Sequence, residues 1–353
     1  MNCQIPFNRI KANALFFSIN INTKVIVYTV KRQNFKEVFR KFVFIMINSN
    51  IKSVLELLNT FSTEQICIEY LEQMRWNGIV ESPFDPTSIV YKCKDNKYRC
   101  KNTGKYFNVK TGSMFENTKV SLRKWFLAIW LITSHKKGIS SIQLSKDIDV
   151  TQKTAWFMLQ RIRACFVVEN NNELEGIVEC DETFIGGKNK NRHKDKKVKN
   201  SQGRSFKDKT PVMGMLQRDG KINAFVVSDT KRNSIQPLIC RYVDPETTTL
   251  ISDEWLGYNG LEKYYDHRII DHSKKEYVSL QDSSIHTNNI EGSWKILKSA
   301  VSGMYNHVSR KHLQKYVDEF VYRYNLRKTP DNEKFKHLIL HSNIRTKYKE
   351  LAA

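Results

Sequence analysis

The spacing of apolar residues divides this chain into a helical first half and a mixed second half. From Ile51 to Arg75, the residues Val54, Leu57, Leu58, Phe61, Ile66, Ile68 and Leu71 recur at spacings that predict two short helices. Ser62-Thr-Glu-Gln65 lies between them and reads as a capping box, and Arg75-Trp-Asn-Gly78 closes the unit. Between Ser82 and Gly112 the pattern shortens to alternating runs, Ser88–Tyr91 and Lys105–Val109, which predict small strands. Leu122–Ser134, with Trp125, Phe126, Ile129, Trp130 and Ile132, predicts a strongly apolar helix that Gly138 ends. Two further helices, Ser140–Ile148 and Thr151–Phe166, are joined by a short turn at Asp149-Val150. Residues 1 to about 45 show no clear period.

The second half reads mainly as strands. Ile177–Cys180 is an apolar strand inside Gly176–Gly187, and Thr210–Gln217 and Lys221–Asp229 flank the hairpin signal Arg218-Asp-Gly220. A short helix over Ser234–Tyr242 leads to a strand over Thr247–Ser252 that ends at Asp253. Ile290, Trp294, Leu297 and Val301 then form a helical apolar stripe. The order strand, strand, strand, helix, strand suits a mixed sheet. A right-handed crossover lets the first and fourth strands lie side by side, which brings Asp181 and Asp253 together.

Candidate chemistry sits on these elements. Glu179 and Asp181 share one face of their strand while Val178 and Cys180 share the other, and a carboxylate set into a strand needs a base, hydrogen bonds or a metal ion beside it. Each acidic residue also has a purely structural explanation: Asp253 as cap of the segment beginning Glu254-Trp255, and Asn288 with Glu291 as a capping box. Glu291 and Lys298 lie seven residues apart, on one helix face two turns from each other. In the pair Ser140–Ile148 and Thr151–Phe166, Ala155, Met158, Leu159 and Ile162 take core spacing. Thr151, Gln152, Lys153 and Arg161 are left to face outward, where base-edge and phosphate contacts need them.

Composition sharpens this picture. With 58 Lys and Arg against 36 Asp and Glu, the net charge is +22, which implies a polyanionic partner, most simply nucleic acid. Lys188–Lys209 alone holds ten basic residues against two Asp, and Lys194, Lys196, Lys197 and Lys199 in it are candidates for sequence-independent phosphate contact. Seven scattered cysteines give no disulfide framework and fit a reducing compartment. The longest apolar run, Trp125–Thr133, is too short to cross a bilayer, so an intracellular protein is expected, in the nucleus of a eukaryote or otherwise in the cytoplasm or nucleoid, with no membrane partner.

Taken together, Val178-Glu-Cys-Asp-Glu-Thr-Phe-Ile-Gly-Gly-Lys188, Asp253 with Tyr258, His286-Thr-Asn-Asn-Ile-Glu-Gly-Ser-Trp294 through Lys298, Gly303-Met-Tyr-Asn-His-Val-Ser309 and Glu319-Phe-Val-Tyr-Arg-Tyr-Asn325 resemble the insertion-sequence transposases with an ISXO-type domain and their eukaryotic Merlin relatives. The likeness runs from about Met46 to Lys328. It implies an α/β fold with a ribonuclease H-like mixed sheet, and a DDE-type enzyme that cleaves and transfers DNA strands with Mg2+ or Mn2+. Its metal ligands would be Asp181, Asp253 and Glu291, with Asn288 as the alternative third ligand, and Lys298 would be the basic residue beside them. The 37 residues between Asp253 and Glu291 match the spacing of that family. The partners implied are double-stranded DNA, as element ends and as target, and further copies of the chain assembled on it. An inactive, domesticated DNA-binding protein is the alternative.

The resemblance also implies a zinc ribbon ahead of the helix-turn-helix, and here the chain departs from it. Ser82-Pro-Phe-Asp85 and Cys100-Lys-Asn-Thr103 stand where two Cys-x-x-Cys turns are expected, so three of four ligands are missing and zinc is not expected. An apolar cluster of Phe84, Ile89, Tyr91, Tyr98, Tyr106, Phe107 and Val109 against the helix of Trp125 and Trp130 would have to hold the unit instead. The expected organisation is a 1–45 extension, a helical start with a degenerate ribbon-like unit over 46–112, a helix-turn-helix over 113–170, a catalytic domain over 171–330 and a tail over 331–353.

Overall fold

The computed structural model describes residues 14–21, 24–31, 51–187, 193–198, 208–271, 278–279 and 282–352, with backbone alone before residue 51. The chain divides into two compact units, residues 1–60 and 61–353. In the first, β1 (Ala14–Ile21) and β2 (Lys24–Lys31) pair antiparallel from Ala14↔Lys31 to Ile21↔Lys24, and α1 spans Val54–Thr60. The hairpin lies in a stretch where no period was expected. Its second strand, KVIVYTVK, is rich in β-branched residues, which favour extended backbone.

The larger unit begins with α2 (Glu64–Trp76). Its N-cap is Thr63, whose hydroxyl accepts from the Ile66 N–H, one residue beyond the Ser62 of the expected capping box. Three short antiparallel strands follow, β3 (Val90–Lys92), β4 (Tyr98–Cys100) and β5 (Tyr106–Phe107). They pack on α2, not on the helix of Trp125 and Trp130. Trp76 meets Tyr98 and Phe107 edge-on at 5.2 and 6.2 Å, Tyr98 donates to Glu72 at 2.9 Å, and Arg75 donates to the carbonyls of Val109 and Thr111. Of the expected apolar cluster, Tyr98, Phe107 and Val109 are buried, whereas Phe84, Ile89, Tyr91 and Tyr106 are exposed.

Next come α3 (Leu122–Ser134), α4 (Ser141–Asp147) and α5 (Gln152–Cys165). Ser140 and Thr151 cap the last two with side-chain oxygens that accept from Gln143 N and Thr154 N, and Asp149 takes φ 49° in the turn between them. α3 ends at Ser134, before Gly138. The glycine is required by contact as well as by its φ of 81°, since a Cβ there would overlap the Tyr305 hydroxyl and the Glu319 carboxylate.

The sheet is built from β6 (Leu174–Ile185), β7 (Thr210–Gln217), β8 (Ile222–Val226), β9 (Val243–Asp253) and β10 (Asp266–Ile270), with α6 (Arg232–Tyr242) between β8 and β9. Its order is β10-β9-β6-β7-β8: β6, β7 and β8 form an antiparallel meander, while β9 runs parallel to both β6 and β10. One face carries Val178, Cys180, Met213, Met215 and Leu250 against Ile235 and Ile239 of α6. The other carries Val212, Leu216, Ile222 and Ala224 against α7 (Asn288–Ser299) and α8 (Leu313–Asn325), through Ile290, Trp294, Leu297, Val317 and Phe320. The fold is therefore a mixed α/β sandwich with its sheet in the middle.

The expected tail is helical: α9 spans Asp331–Leu340 and α10 spans Tyr348–Ala352. Phe335 of α9 completes an aromatic cluster with Phe61, Tyr70, Phe126 and Trp130. No helix among the described residues is long and apolar enough to cross a membrane.

In the ribbon-like unit, Cys100 is buried, with Ser82, Ser88 and Thr103 bonded to it. Burial raises the thiol pKa, but these hydrogen bonds outweigh it and bring it down to about 6. Asp85 accepts from Asn102 Nδ2 at 2.8 Å and from Thr87. Structural zinc contributes on the order of 10 kcal/mol in small finger peptides, a contribution this unit must replace through α2 and the hydrogen bonds around Cys100. Purified protein is expected to hold no stoichiometric zinc by elemental analysis, and a chelator is expected to leave hydrogen exchange in residues 82–112 unchanged. One tightly held zinc per chain, lost together with protection, would point to Cys93, Cys100 and Asp85 as ligands.

Candidate active site

The parallel register pairs Ile177 with Thr249, Val178 with Leu250 and Glu179 with Ile251, so two residues further Asp181, within β6, comes level with Asp253 at the end of β9. The two carboxylates share an electrostatic field. Burial first, then the negative charge of Asp253 and to a lesser degree that of Glu291, push the Asp181 carboxyl up to about 7. Trp294 opposes this shift, donating its indole N–H to Asp181 Oδ2 at 3.0 Å. That contact depends on Gly214, the β7 residue paired with Asp181, because a Cβ at 214 would overlap the Trp294 ring. The sheet thus brings Asp181 and Asp253 together, and α7 adds Glu291 to the same field.

Glu179 has a different role, which sequence reasoning left open. It is fully buried and accepts from Arg218 Nε at 2.7 Å, from the backbone N–H groups of Asn289 and Ile290 at 3.0 Å each, and from Asn289 Nδ2 at 2.9 Å. Arg218 continues to the carbonyls of Ser284 and His286. A carboxylate on a strand therefore caps the positive end of α7 from outside the helix. Its signal in the sequence was the shared strand face with Asp181; that Arg218 of the hairpin turn pairs with it is visible only in the fold.

The remaining expected residues fall as follows. Thr287 is the N-cap of α7 and makes no side-chain cap bond, so the Asn288–Glu291 capping box does not form. Asn288 and Lys298 are exposed and Glu291 is half-buried. Asp253 does take its structural role, accepting from Trp255 N at 3.1 Å. Tyr258 is buried in the core beneath the sheet, against Met213 and Glu182. Thr151, Gln152 and Lys153 are exposed at the start of α5, with Gln152 bonded to Ser141 at 2.8 Å. Arg161 is not outward-facing. The C-terminal half of α5 is enclosed, and Arg161 donates to the carbonyls of Met114, Glu116 and Thr346. Lys194 and Lys197 are exposed, while the Lys196 side chain and Lys199 lie outside the described residues.

Among the described residues no three His, Cys, Asp or Glu side chains stand grouped tightly enough to form a ready metal cage. The donor chemistry nonetheless fits a hard divalent cation: Asp181, Asp253 and Glu291 offer only oxygens, and Asp181 carries a proton affinity that a nearby positive charge would relieve.

Residues 173–325 match the family described as the ISXO2-like transposase domain. The stretch includes all three carboxylates, Lys298, and the Glu179–Arg218 pair. The chain is also 26% identical, over 294 residues, to the "Uncharacterized protein in transposable element ISH50" of Halobacterium salinarum, a match covering 80% of this chain and 98% of that protein. A solved pre-cleavage Mos1 transpososome is similar at 12% identity with a TM-score of 0.22, over 59% of this chain and 75% of that one.

Within the matched stretch, the motif residues Glu319 and Asn325 after α7 are structural. Glu319 is fully buried, and it binds Arg163 of α5 at 2.6 Å, Arg323 one turn on, and the Tyr305 hydroxyl at 2.7 Å. Burial would raise its pKa, but Arg163 and Arg323 outweigh that effect and hold it below the usual glutamate range. Asn325 bonds both the N–H and the carbonyl of Ile222, holding β8.

The raised Asp181 pKa has a stability consequence with a definite sign. Between about pH 4 and 7 the folded chain binds a proton that the unfolded chain releases, so stability falls as pH rises through that window and stays reduced above it. In metal-free buffer, Asp181→Asn is expected to raise Tm over the wild type at pH 8, with the gap closing toward pH 4. Adding Mg2+ at pH 8 is expected to raise the wild-type Tm and leave that of Asp181→Asn unmoved. Equal melting of both chains at pH 8 without metal would show that Asp181 carries no such penalty.

Proposed function

We propose that this protein is a DNA transposase, which binds the ends of its element and catalyses metal-dependent strand cleavage followed by strand transfer into target DNA. The observation that carries this reading is the electrostatic convergence of Asp181, Asp253 and Glu291 where β9 ends beside β6, inside a stretch that matches a transposase domain. The strand order, an antiparallel meander extended by two parallel strands, supports a ribonuclease H-like catalytic fold.

In this mechanism Asp181, Asp253 and Glu291 hold the divalent ions, with Asn288 one turn away as the alternative third ligand. Bound Mg2+ or Mn2+ would supply a lowered pKa for the attacking water or 3'-hydroxyl and charge stabilisation for the leaving oxygen. Trp294 fixes the rotamer of Asp181 through its indole N–H. Glu179 and Arg218 fix the first turn of α7, and with it Glu291. Lys298, exposed on the Glu291 face of α7, meets phosphate beside the scissile bond as a mobile point charge. The α4–α5 pair acts as a helix-turn-helix, with Gln152 and Lys153 reading the element's ends. The basic Lys188–Lys209 segment holds duplex without regard to sequence, and copies of the chain assemble on the DNA.

Asp181→Asn, Asp253→Asn and Glu291→Gln should each abolish Mg2+-dependent cleavage of an element-end duplex while DNA binding stays nearly intact. Amides keep the shape and lose the charge that holds the ion. Cleavage retained by Glu291→Gln and lost in Asn288→Ala would move the third ligand to Asn288, and cleavage retained by Asp181→Asn would sink the site. A wild-type chain that binds element ends and never cuts them would be a domesticated DNA-binding protein.

Binding separates in the same way. Gln152→Ala with Lys153→Ala should weaken binding to element ends more than to random duplex. Neutralising Lys194, Lys196, Lys197 and Lys199 should weaken both alike and flatten the salt dependence. Identical behaviour of the two sets in a titration across salt concentrations would show that α5 reads no sequence.

A further inference from the structure

The three-stranded sheet β3–β5 has two unlike faces. Tyr98, Cys100 and Phe107 are buried on one, with Trp76, Val80 and Val90 packed against them. On the other, the register pairs Tyr91 with Arg99 and Arg99 with Tyr106, so these three side chains form one row across all three strands. The row is open: Tyr91 is 48% and Tyr106 60% exposed, and the Arg99 guanidinium sits 5.9 Å from the Tyr106 ring centre. Large rings left in water on a small sheet add nothing to its core, which Tyr98 and Phe107 already fill. Their surroundings are one-sided in charge, since residues 88–110 hold seven Lys and Arg against the single Asp95. Lys92, Lys94, Lys97, Lys101 and Lys105 are all exposed.

We propose that this face is a docking site for single-stranded DNA, separate from the carboxylate site and from the start of α5. The charge calls for a polyanion, and the rings select its form. Bases in a duplex are stacked on one another and present only phosphates to a flat surface, whereas unpaired bases can stack on an exposed ring. The two outer strands of a three-stranded sheet stand about 9.6 Å apart. Tyr91 and Tyr106 therefore take two separate bases, and Arg99 between them meets the connecting phosphate. This site gives the chain a hold on unpaired DNA that does not depend on whether Asp181, Asp253 and Glu291 catalyse anything.

The test uses the full chain, a fluorescein-labelled 20-nucleotide oligothymidylate and a 20-base-pair duplex, with binding read by anisotropy. Tyr91→Ala with Tyr106→Ala is expected to weaken oligothymidylate binding about tenfold or more, in line with the strength of base–aromatic stacking. Duplex binding should change by less than about twofold, because a duplex offers the rings no base to stack on. The melting temperature should hold, because both side chains are exposed. Tyr91→Phe with Tyr106→Phe should retain the affinity, since the rings remain. An unchanged oligothymidylate affinity in the alanine variant, or an equal loss on duplex, would overturn the proposal, as would a wild-type chain that does not bind the oligonucleotide.

Discussion

A carboxylate with no exposed surface sets the geometry of the site. Glu179 would be costly to bury alone, and the chain satisfies it by bringing Arg218 from the β7–β8 turn and the first free amides of α7 onto its two oxygens. Three elements distant in sequence are thereby fixed at one point. From there, α7 runs across the sheet with Ile290, Trp294 and Leu297 inward and Glu291 turned toward Asp181. Removing one partner from such a buried pair typically costs about 3–5 kcal/mol, a large part of the stability of an ordinary domain.

Two residues along the same strand face, Asp181 is in the opposite electrostatic state. Glu179 has every charge it needs from the protein. Asp181 has the Glu182 backbone N–H, an indole N–H and two like-charged neighbours. One strand therefore holds a satisfied anion that builds the fold and an unsatisfied one that weakens it. Carboxylates that a fold leaves in tension are where a binding function is most economically explained.

Much of this was legible in the sequence because it is written in period and order. The order of strands and helix anticipated the β6–β9 pairing, and the spacing of Ala155, Met158, Leu159 and Ile162 anticipated the buried side of α5. What escaped depended on contacts between distant segments. Arg161 sits at a position open to solvent by helical spacing alone, yet three carbonyls from residues 114, 116 and 346 draw it inward. Of the apolar cluster expected in the ribbon-like unit only Tyr98, Phe107 and Val109 are buried; alternation cannot say which face meets α2, so Phe84, Ile89, Tyr91 and Tyr106 were expected in a core that they avoid. Gly138 read as a helix breaker and Gly214 carried no signal inside its strand, and only the packing of Tyr305 and Trp294 shows what a side chain at each would meet.

The Glu319 cluster bears on how the molecule responds to load. Arg163 belongs to α5, while Glu319 and Arg323 belong to α8, which lies on the sheet. Pulling α5 away would take Arg163 with it and leave Glu319 with Arg323 and the Tyr305 hydroxyl as its remaining partners. The cluster therefore ties the α4–α5 pair to α8 through a buried contact that is costly to break. α8 in turn packs on the sheet, so the polar start of α5 and the strands carrying Asp181 and Asp253 are joined through one buried ion cluster.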